Sequence, residues 1–393
     1  MHLHKLLTLQ VAAFLIAGCS EDDPAADSAA GYSLQRSELA TTLQANVDEH
    51  QRHGVVGVVA QVNDEDGVIN ARAGESSLGS GAPIEFDTHF RMGSNTKTFV
   101  AVVLLQLAEE GTLSLDDTVE KWLPGVVSGN GNDGSLVTIR QLLQHTSGIH
   151  NYTADLFTGF TADDFNRVRY ESVTPEDLVT IALAHPPDFE PGTSWNYSNT
   201  NYILSGMIIE KATGRDWASE VQARIITPLD LTDTFEPGED PDLPSPHAQG
   251  YHLFAENEPL VDVTSYNHTW GGAAGSLITT LDDLTRFWRA LQSGELLAPA
   301  QLAEMQTTVA AVGLDEVIPG IHYGLGVMTV PTSCGGAYWA HFGDTNGFTT
   351  RNAVNVEGTR SVVLANHTSF DVGPVLQVIS DDLKLLDDVM CAP

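Results

Sequence analysis

Three separated stretches of the chain carry residue types that could cooperate in nucleophilic catalysis. The first is Gly93-Ser94-Asn95-Thr96-Lys97, directly before the apolar run Phe99 to Leu107. If Ser94 opens a helix, Lys97 lies one turn on and both side chains face the same spot. A serine hydroxyl is nearly inert at neutral pH until a neighbour takes its proton. A lysine amine can do so only when burial or a second cation lowers its pKa, and the apolar run beside Lys97 can supply that burial. By itself an S-x-x-K spacing is weak, because it also recurs by chance. The second stretch is Trp195-Asn196-Tyr197-Ser198-Asn199, a loop after Pro191-Gly192 and before an apolar helix. Tyr197 can relay a proton, and Asn199 can hold both Lys97 and a substrate amide. An aromatic surface loop with a helix cap is the plainer reading of this segment taken alone. The third stretch runs from Ala340 through His341, Phe342, Gly343 and Asp344 to Phe348. Gly343 permits close approach of a substrate backbone, and His341 can offer a donor or a positive charge where anionic groups bind. A lone histidine is more often structural.

The elements that must position these groups follow from periodicity. Leu39, Leu43 and Val47 recur every fourth residue and predict a helix over about 35–51. Val55 to Val62, a turn at Asn63 to Gly67, and Val68 to Ala73 read as a β-hairpin. The Phe99 to Leu107 run, apolar almost all round, reads as a buried helix. Between about 111 and 309, helical patterns at Ile139 to Gln144, Pro175 to Ala184, Asn201 to Ala212 and Leu281 to Leu291 are separated by Pro and Gly loops. Strand character returns at Tyr323 to Val330, Gly347 to Val356 and Arg360 to Asn366. A closing helix, Pro374 to Leu386, is expected with Val375, Ile379, Leu383 and Leu386 on one side. The expected fold class is α/β (α+β): an antiparallel sheet flanked by helices and built from both chain ends, about 33–110 and 310–393, around an inserted all-α region.

Composition limits the partners. The 393 residues include 18 Lys+Arg against 52 Asp+Glu, a formal net charge of −34. Nucleic acid binding needs clustered cations, so it is not expected. Lys5, the apolar segment Leu6 to Ile16 and the small residues before Cys19 read as an export signal over 1–18, too short to span a bilayer. Cys19 fits the lipidated first residue of a bacterial lipoprotein, which implies anchoring in the cell envelope, at the outer membrane or periplasm. Residues 19–32 are acidic and alanine-rich and read as a flexible tether. With Cys19 acylated, Cys334 and Cys391 remain, an even pair that suggests one disulfide. No C-x-x-C, H-E-x-x-H or His/Cys cluster with zinc spacing occurs, so neither a metal nor a cofactor is expected.

S-x-x-K, then Y-x-N about 100 residues later, then H-x-G about 144 after that, is the motif order of the serine β-lactamase and penicillin-binding protein superfamily. The chain resembles its branch of class C β-lactamases, D-alanyl-D-alanine carboxypeptidases and related esterases, the secreted carboxypeptidase type above all. Supporting segments include FRMGSNTKTFVAVVLLQL, IRQLLQHTSGI, PGTSWNYSNTNYILSGMIIEKATG and GGAAGSLITTLDDLTRFW.

The resemblance implies Ser94 as the acyl-accepting nucleophile, Lys97 as its proton acceptor and Tyr197 as the group that passes the proton toward the leaving amine, and it leaves open whether Lys97 or Tyr197 is the immediate base. It also implies Asn199 as a substrate-aligning group, Trp270 in the pocket wall, and backbone N–H groups of Ser94 and Asp344 as the oxyanion hole. The Cys334–Cys391 pair fits the C-terminal disulfide of the carboxypeptidase type. The implied activity is cleavage of peptidoglycan stem peptides by a monomer, with β-lactam or ester turnover as the alternative and a non-catalytic wall-binding module as the reading of another class. Two departures bear on substrate. Relatives carry a small hydroxyl residue where Phe342 stands, and Val327 to Val330 lacks a basic cluster, so a substrate carboxylate loses partners that His341 or Arg351 would have to replace.

Overall fold

The computed structural model describes residues 24–393. The export segment and Cys19 lie outside the described residues. Helix α1 (Pro24–Arg52) begins inside the stretch expected as a tether. The stretch is alanine-rich, and alanine has the highest intrinsic helix propensity, a preference that needs no apolar periodicity.

β1 (Gly57–Asp64) and β2 (Gly67–Gly74) form the expected hairpin, with Asp64 opposite Gly67 across the turn. Helix α2 (Thr96–Glu109) follows, then the short α3 (Tyr152–Phe157), α4 (Thr200–Thr213) and α5 (Leu281–Gln292). The chain then returns to the sheet through β3 (Val309–Ala310), β4 (His322–Tyr323), β5 (Met328–Pro331), β6 (Ala337–Ala340), β7 (Gly343–Thr345), β8 (Phe348–Val354) and β9 (Ser361–Asn366). Strand order across this nine-stranded sheet is β2-β1-β9-β8-β6-β5-β4-β3, with β7 paired to β8 outside that path. Every pairing in it is antiparallel. The central contact joins the two chain ends, Val58 facing Asn366 and Val62 facing Val362.

Alternation along β1 divides the core, as the period of a strand requires. Val58, Ala60 and Val62 pack with Leu39, Leu43 and Val47 of α1 and with the closing helix α6 (Val375–Met390). Val59 packs on the opposite face with Phe99 of α2 and Leu284 and Phe287 of α5. Thr96 through Leu105 are all buried, so α2 crosses the interior as its apolar circumference predicts.

Four expectations need correction. First, the inserted region is not all-α: Tyr251–Leu253, Val261–Asp262 and Thr368–Phe370 form a small sheet, and Phe90–Arg91 pairs with Ile278–Thr279. Strands of two or three residues are too short to show alternation. Second, the strand expected over Tyr323 to Val330 breaks into β4 and β5, where the Gly324 N–H donates to Val327 O at 2.8 Å. A Cβ on Gly326 would stand 2.7 Å from that of Ala101, so this turn touches α2. Third, α6 turns Val378, Asp382, Leu385, Leu386 and Val389 inward, while Val375, Ile379 and Leu383 are only partly buried. Asp382 decides that rotation, because its buried carboxylate is bonded by His50, Arg351 and Asn366. Fourth comes the tether already described. Cys334 is joined to Cys391, with their Cα atoms 5.7 Å apart, and this ties the end of α6 to the turn after β5.

Candidate active site

Ser94 sits in one tight turn, Gly93–Asn95, which runs directly into α2. Gly93 has φ +53°, and a Cβ there would stand 2.9 Å from the Asp344 backbone nitrogen. A Cβ on Gly343 would stand 2.0 Å from Met92 O. Two glycines therefore let β7 cross the serine turn at van der Waals contact, and the Asp344 peptide lies beside Gly93-Ser94. Asn95 fixes the crossing from behind, donating to Met92 O at 3.3 Å and accepting from Asn352 Nδ2 at 2.5 Å.

Lys97 is fully buried on the first turn of α2. Its Nζ lies 2.8 Å from Ser94 Oγ, 2.7 Å from Asn199 Oδ1 and 2.7 Å from Ala274 O. None of the three is charged. Burial without a counter-ion holds the lysine pKa well below its ordinary value. Asn199 Oδ1 and Ala274 O can only accept, whereas the serine hydroxyl can donate. A neutral amine satisfies this set completely, with two N–H bonds given and the Ser94 O–H bond received on its lone pair. The arrangement can thus draw a proton from Ser94.

Tyr197 covers the same spot, with Lys97 Nζ 4.9 Å from its ring centroid and its hydroxyl hydrogen-bonded to Ser94. Burial is the largest influence on the phenol and raises its pKa far above the usual value. Tyr197 is therefore a retained O–H, and Lys97 is the stronger candidate for immediate base. Asn199 owes its orientation to α3 and the residue before it. Its Nδ2 donates to Thr153 Oγ1 at 3.2 Å, and its backbone N–H donates to Asn151 Oδ1 at 3.0 Å.

Sequence reasoning missed Asn151, Thr153, Ala274 and His145 as parts of this site. His145 is buried at φ +61°, its ring 4.3 Å from that of Tyr197 and 4.8 Å from that of Tyr323. Its Nδ1 accepts from Ser198 N–H at 3.2 Å and Asn201 Nδ2 at 3.1 Å. Burial, then Lys97, holds this imidazole neutral. The HTSG segment that contains it was visible only as part of a resemblance; its contacts are non-local.

His341 does not supply a charge to a ligand. It is fully buried; Nδ1–H donates to the Phe342 carbonyl at 2.7 Å, and Nε2 accepts from Tyr323 O–H at 2.9 Å. Burial, then the nearby Lys97, pushes its pKa down to about 3. Arg351 is equally unavailable as a free carboxylate binder. Its guanidinium, 7 % exposed, bonds Asp344 Oδ1 at 2.8 Å and Asp382 Oδ2 at 3.0 Å. It also donates to Gly343 O at 3.2 Å, holding β7 against the serine turn.

A cavity of about 400 Å³ opens beside Asn199 and Asp344, walled by Phe157, Trp270, Thr349 and Phe370. Phe157 and Trp270 also border a neighbouring cavity of about 420 Å³ lined by Phe160, Phe165 and Tyr266. Trp270 thus lines both cavities, and Phe157 meets it edge to face at 4.7 Å. Phe342, partly buried, packs with Tyr197 against the core under the sheet and stacks below the Arg351 guanidinium.

An antiparallel sheet built from both ends, with a serine in the turn that leads into a buried helix and a lysine on that helix's first turn, both facing a tyrosine loop, defines a serine hydrolase of the β-lactamase and penicillin-binding protein class. The Beta-lactamase family profile matches residues 39–376, and the chain belongs to that family. Its relatives include Penicillin-binding protein 4* of Bacillus subtilis (strain 168), 26% identical over 346 residues that cover 86% of this chain and 73% of that protein. Esterase EstB of Burkholderia gladioli is 30% identical over 329 residues, covering 75% of this chain and 80% of the esterase. Among solved structures, a D-stereospecific amidohydrolase from Streptomyces sp. superposes with a TM-score of 0.82 at 41% identity, over 90% of this chain and 99% of that one.

Proposed function

We propose that the protein hydrolyses the amide bond on the carbonyl side of a D-amino acid whose α-amino group is free, through an acyl-enzyme on Ser94. Lys97 takes the Ser94 proton as Oγ attacks the carbonyl carbon. The N–H groups of Ser94 and Asp344 hold the oxyanion, a contribution of about 10²–10³ in rate for one such donor. Tyr197 passes the proton to the leaving nitrogen as the C–N bond breaks. Water then attacks the acyl-enzyme, gives its proton to the same Lys97/Tyr197 pair, and Ser94 is restored as the D-amino acid leaves.

One observation carries the choice of substrate. Among the described residues lining the cleft, the one permanent cation is Arg351, already bonded to two carboxylates, whereas the Asp344 side chain is 63% exposed. Such a site favours a substrate ammonium over a substrate carboxylate. The aromatic walls suit an apolar side chain, and the D preference is drawn from the likeness to the Streptomyces amidohydrolase. Carboxypeptidase action on D-alanyl-D-alanine stems, which the motif resemblance implied, is the competing reading. It would set a carboxylate near Asp344, without the cations that such a group needs. Esterase action would need neither charge.

The purified protein is expected to turn over D-phenylalanine amide with kcat/KM at least about 100-fold above that for its N-acetyl derivative or its L enantiomer. Asp344→Asn is expected to lower kcat/KM for the free-amine substrate by about 10- to 100-fold, mainly through KM, as loss of one charge-assisted hydrogen bond implies. Faster cleavage of a D-alanyl-D-alanine peptide or a p-nitrophenyl ester, with the free-amine amide inert, would overturn the assignment.

A further inference from the structure

A cluster outside the catalytic groups has the chemistry of a metal site. His150 precedes Asn151, Asp155 lies in α3, and His185 follows the helix Pro175–Leu183. His150 Nε2 is 3.1 Å from one oxygen of the Asp155 carboxylate, and His185 Nε2 is 2.9 Å from the other. One donor atom from each of the three residues lies within 4.8 Å of the other two. The imidazole planes stack at 4.1 Å, so both rings point the same way. Tetrahedral ligands about 2.0–2.1 Å from an ion are spaced only a few tenths of an ångström wider than these N···O pairs. A small side-chain movement opens the triad around a cation. The carboxylate is 34% exposed and His185 42%, which leaves an entry path and an outward position for water.

A second feature points the same way. On the far edge of the His150 ring, Nδ1 faces Asp188 Oδ1 at 3.4 Å. A carboxylate there selects the Nδ1–H tautomer and directs the Nε2 lone pair at Asp155, the arrangement that orients metal-ligating histidines. In that tautomer a lone pair confronts a carboxylate oxygen, and a cation between them relieves the repulsion.

We infer that His150, His185 and Asp155 bind one borderline divalent transition-metal ion, of which Zn²⁺ is the representative, with Asp188 as the supporting carboxylate. The ligands are separated by 5 and 30 residues, which is why no local motif announced them and no metal was expected from sequence. Its place gives the ion a structural consequence. The His150 carbonyl accepts from Ser198 Oγ and Thr200 Oγ1, and Asp188 Oδ2 accepts from Asn196 Nδ2 at 2.7 Å. The ion thus ties α3 to the loop that carries Tyr197 and Asn199. The metal competes with one alternative, an imidazolium bridging Asp155 and Asp188 without any ion.

The test is calorimetric titration of the chelator-treated, dialysed full-length protein with ZnCl2, followed by thermal unfolding with and without zinc. One equivalent should bind and raise the Tm. His185→Ala and Asp155→Asn should weaken binding by about 100-fold or more and abolish the Tm shift, and Asp188→Asn should weaken binding by about 10- to 100-fold. Absence of binding, or an unchanged isotherm in folded His185→Ala, would overturn the site and leave the imidazolium bridge as its description. Because binding and not turnover is read, the outcome is independent of the proposed substrate.

Discussion

Lys97→Met is expected to lower kcat/KM by about 10³- to 10⁴-fold, while thermal unfolding still reports a folded protein. The size follows from losing the proton acceptor, because a positioned general base contributes about 10²–10⁴ and the serine hydroxyl has no other base within its hydrogen bonds. Methionine matches the lysine stem and sits without strain in the buried channel, but it leaves Asn199 Oδ1 and Ala274 O without their donor, at about 1–3 kcal/mol for each unsatisfied group. The wild-type pH profile carries the sign of the argument. Burial lowers the lysine pKa, so the productive neutral amine is present above that depressed value and is lost as pH falls through it. Activity should therefore rise with pH to a plateau reached well below the ordinary lysine range. In Lys97→Met that acid limb should vanish along with most of the rate. A variant with most of the wild-type rate and the same limb would exclude Lys97 as the base.

Tyr197→Phe is expected to cost about 10²- to 10³-fold in kcat for amides and clearly less for p-nitrophenyl esters. The phenol pKa is raised by burial, which makes Tyr197 a poor base but a dependable carrier of a proton. An amine cannot depart without that proton, whereas p-nitrophenolate is stable as an anion and leaves unaided. The ratio of the two losses separates proton delivery from mere packing, since a packing defect lowers both rates alike. Equal losses for amide and ester would remove Tyr197 from leaving-group protonation.

How much of this could be read in advance depended on whether a feature was local. Ser94 and Lys97 lie three residues apart, and Tyr197 and Asn199 share one loop, so each pair was visible as a local motif, and the order of the motifs along the chain carried the resemblance that assigned them. The terminal hairpin and the buried course of α2 follow from alternation and apolar content in the same way. Charge state was another matter. His341 is an imidazole in any reading of the chain, but its neutrality comes from Tyr323, the Phe342 carbonyl and complete burial. Arg351 is spoken for because α6 presents Asp382 inward, a rotation that the apolar pattern of α6 mispredicted. The ligands around His150 are likewise assembled only by folding. Asn151 and Thr153, which aim Asn199, give no sign of that role in sequence because asparagine and threonine begin helices throughout the chain.

The most direct test of the central claim is mass spectrometry of the protein quenched in acid during turnover of a p-nitrophenyl ester, a substrate that acylates faster than it deacylates. Digestion with trypsin should yield the fragment Met92–Lys97 carrying the mass of the acyl group, with the modification on Ser94, and Ser94→Ala should show neither adduct nor turnover. An unmodified fragment throughout steady-state hydrolysis, together with wild-type rates in Ser94→Ala, would contradict the acyl-enzyme and every role assigned around it.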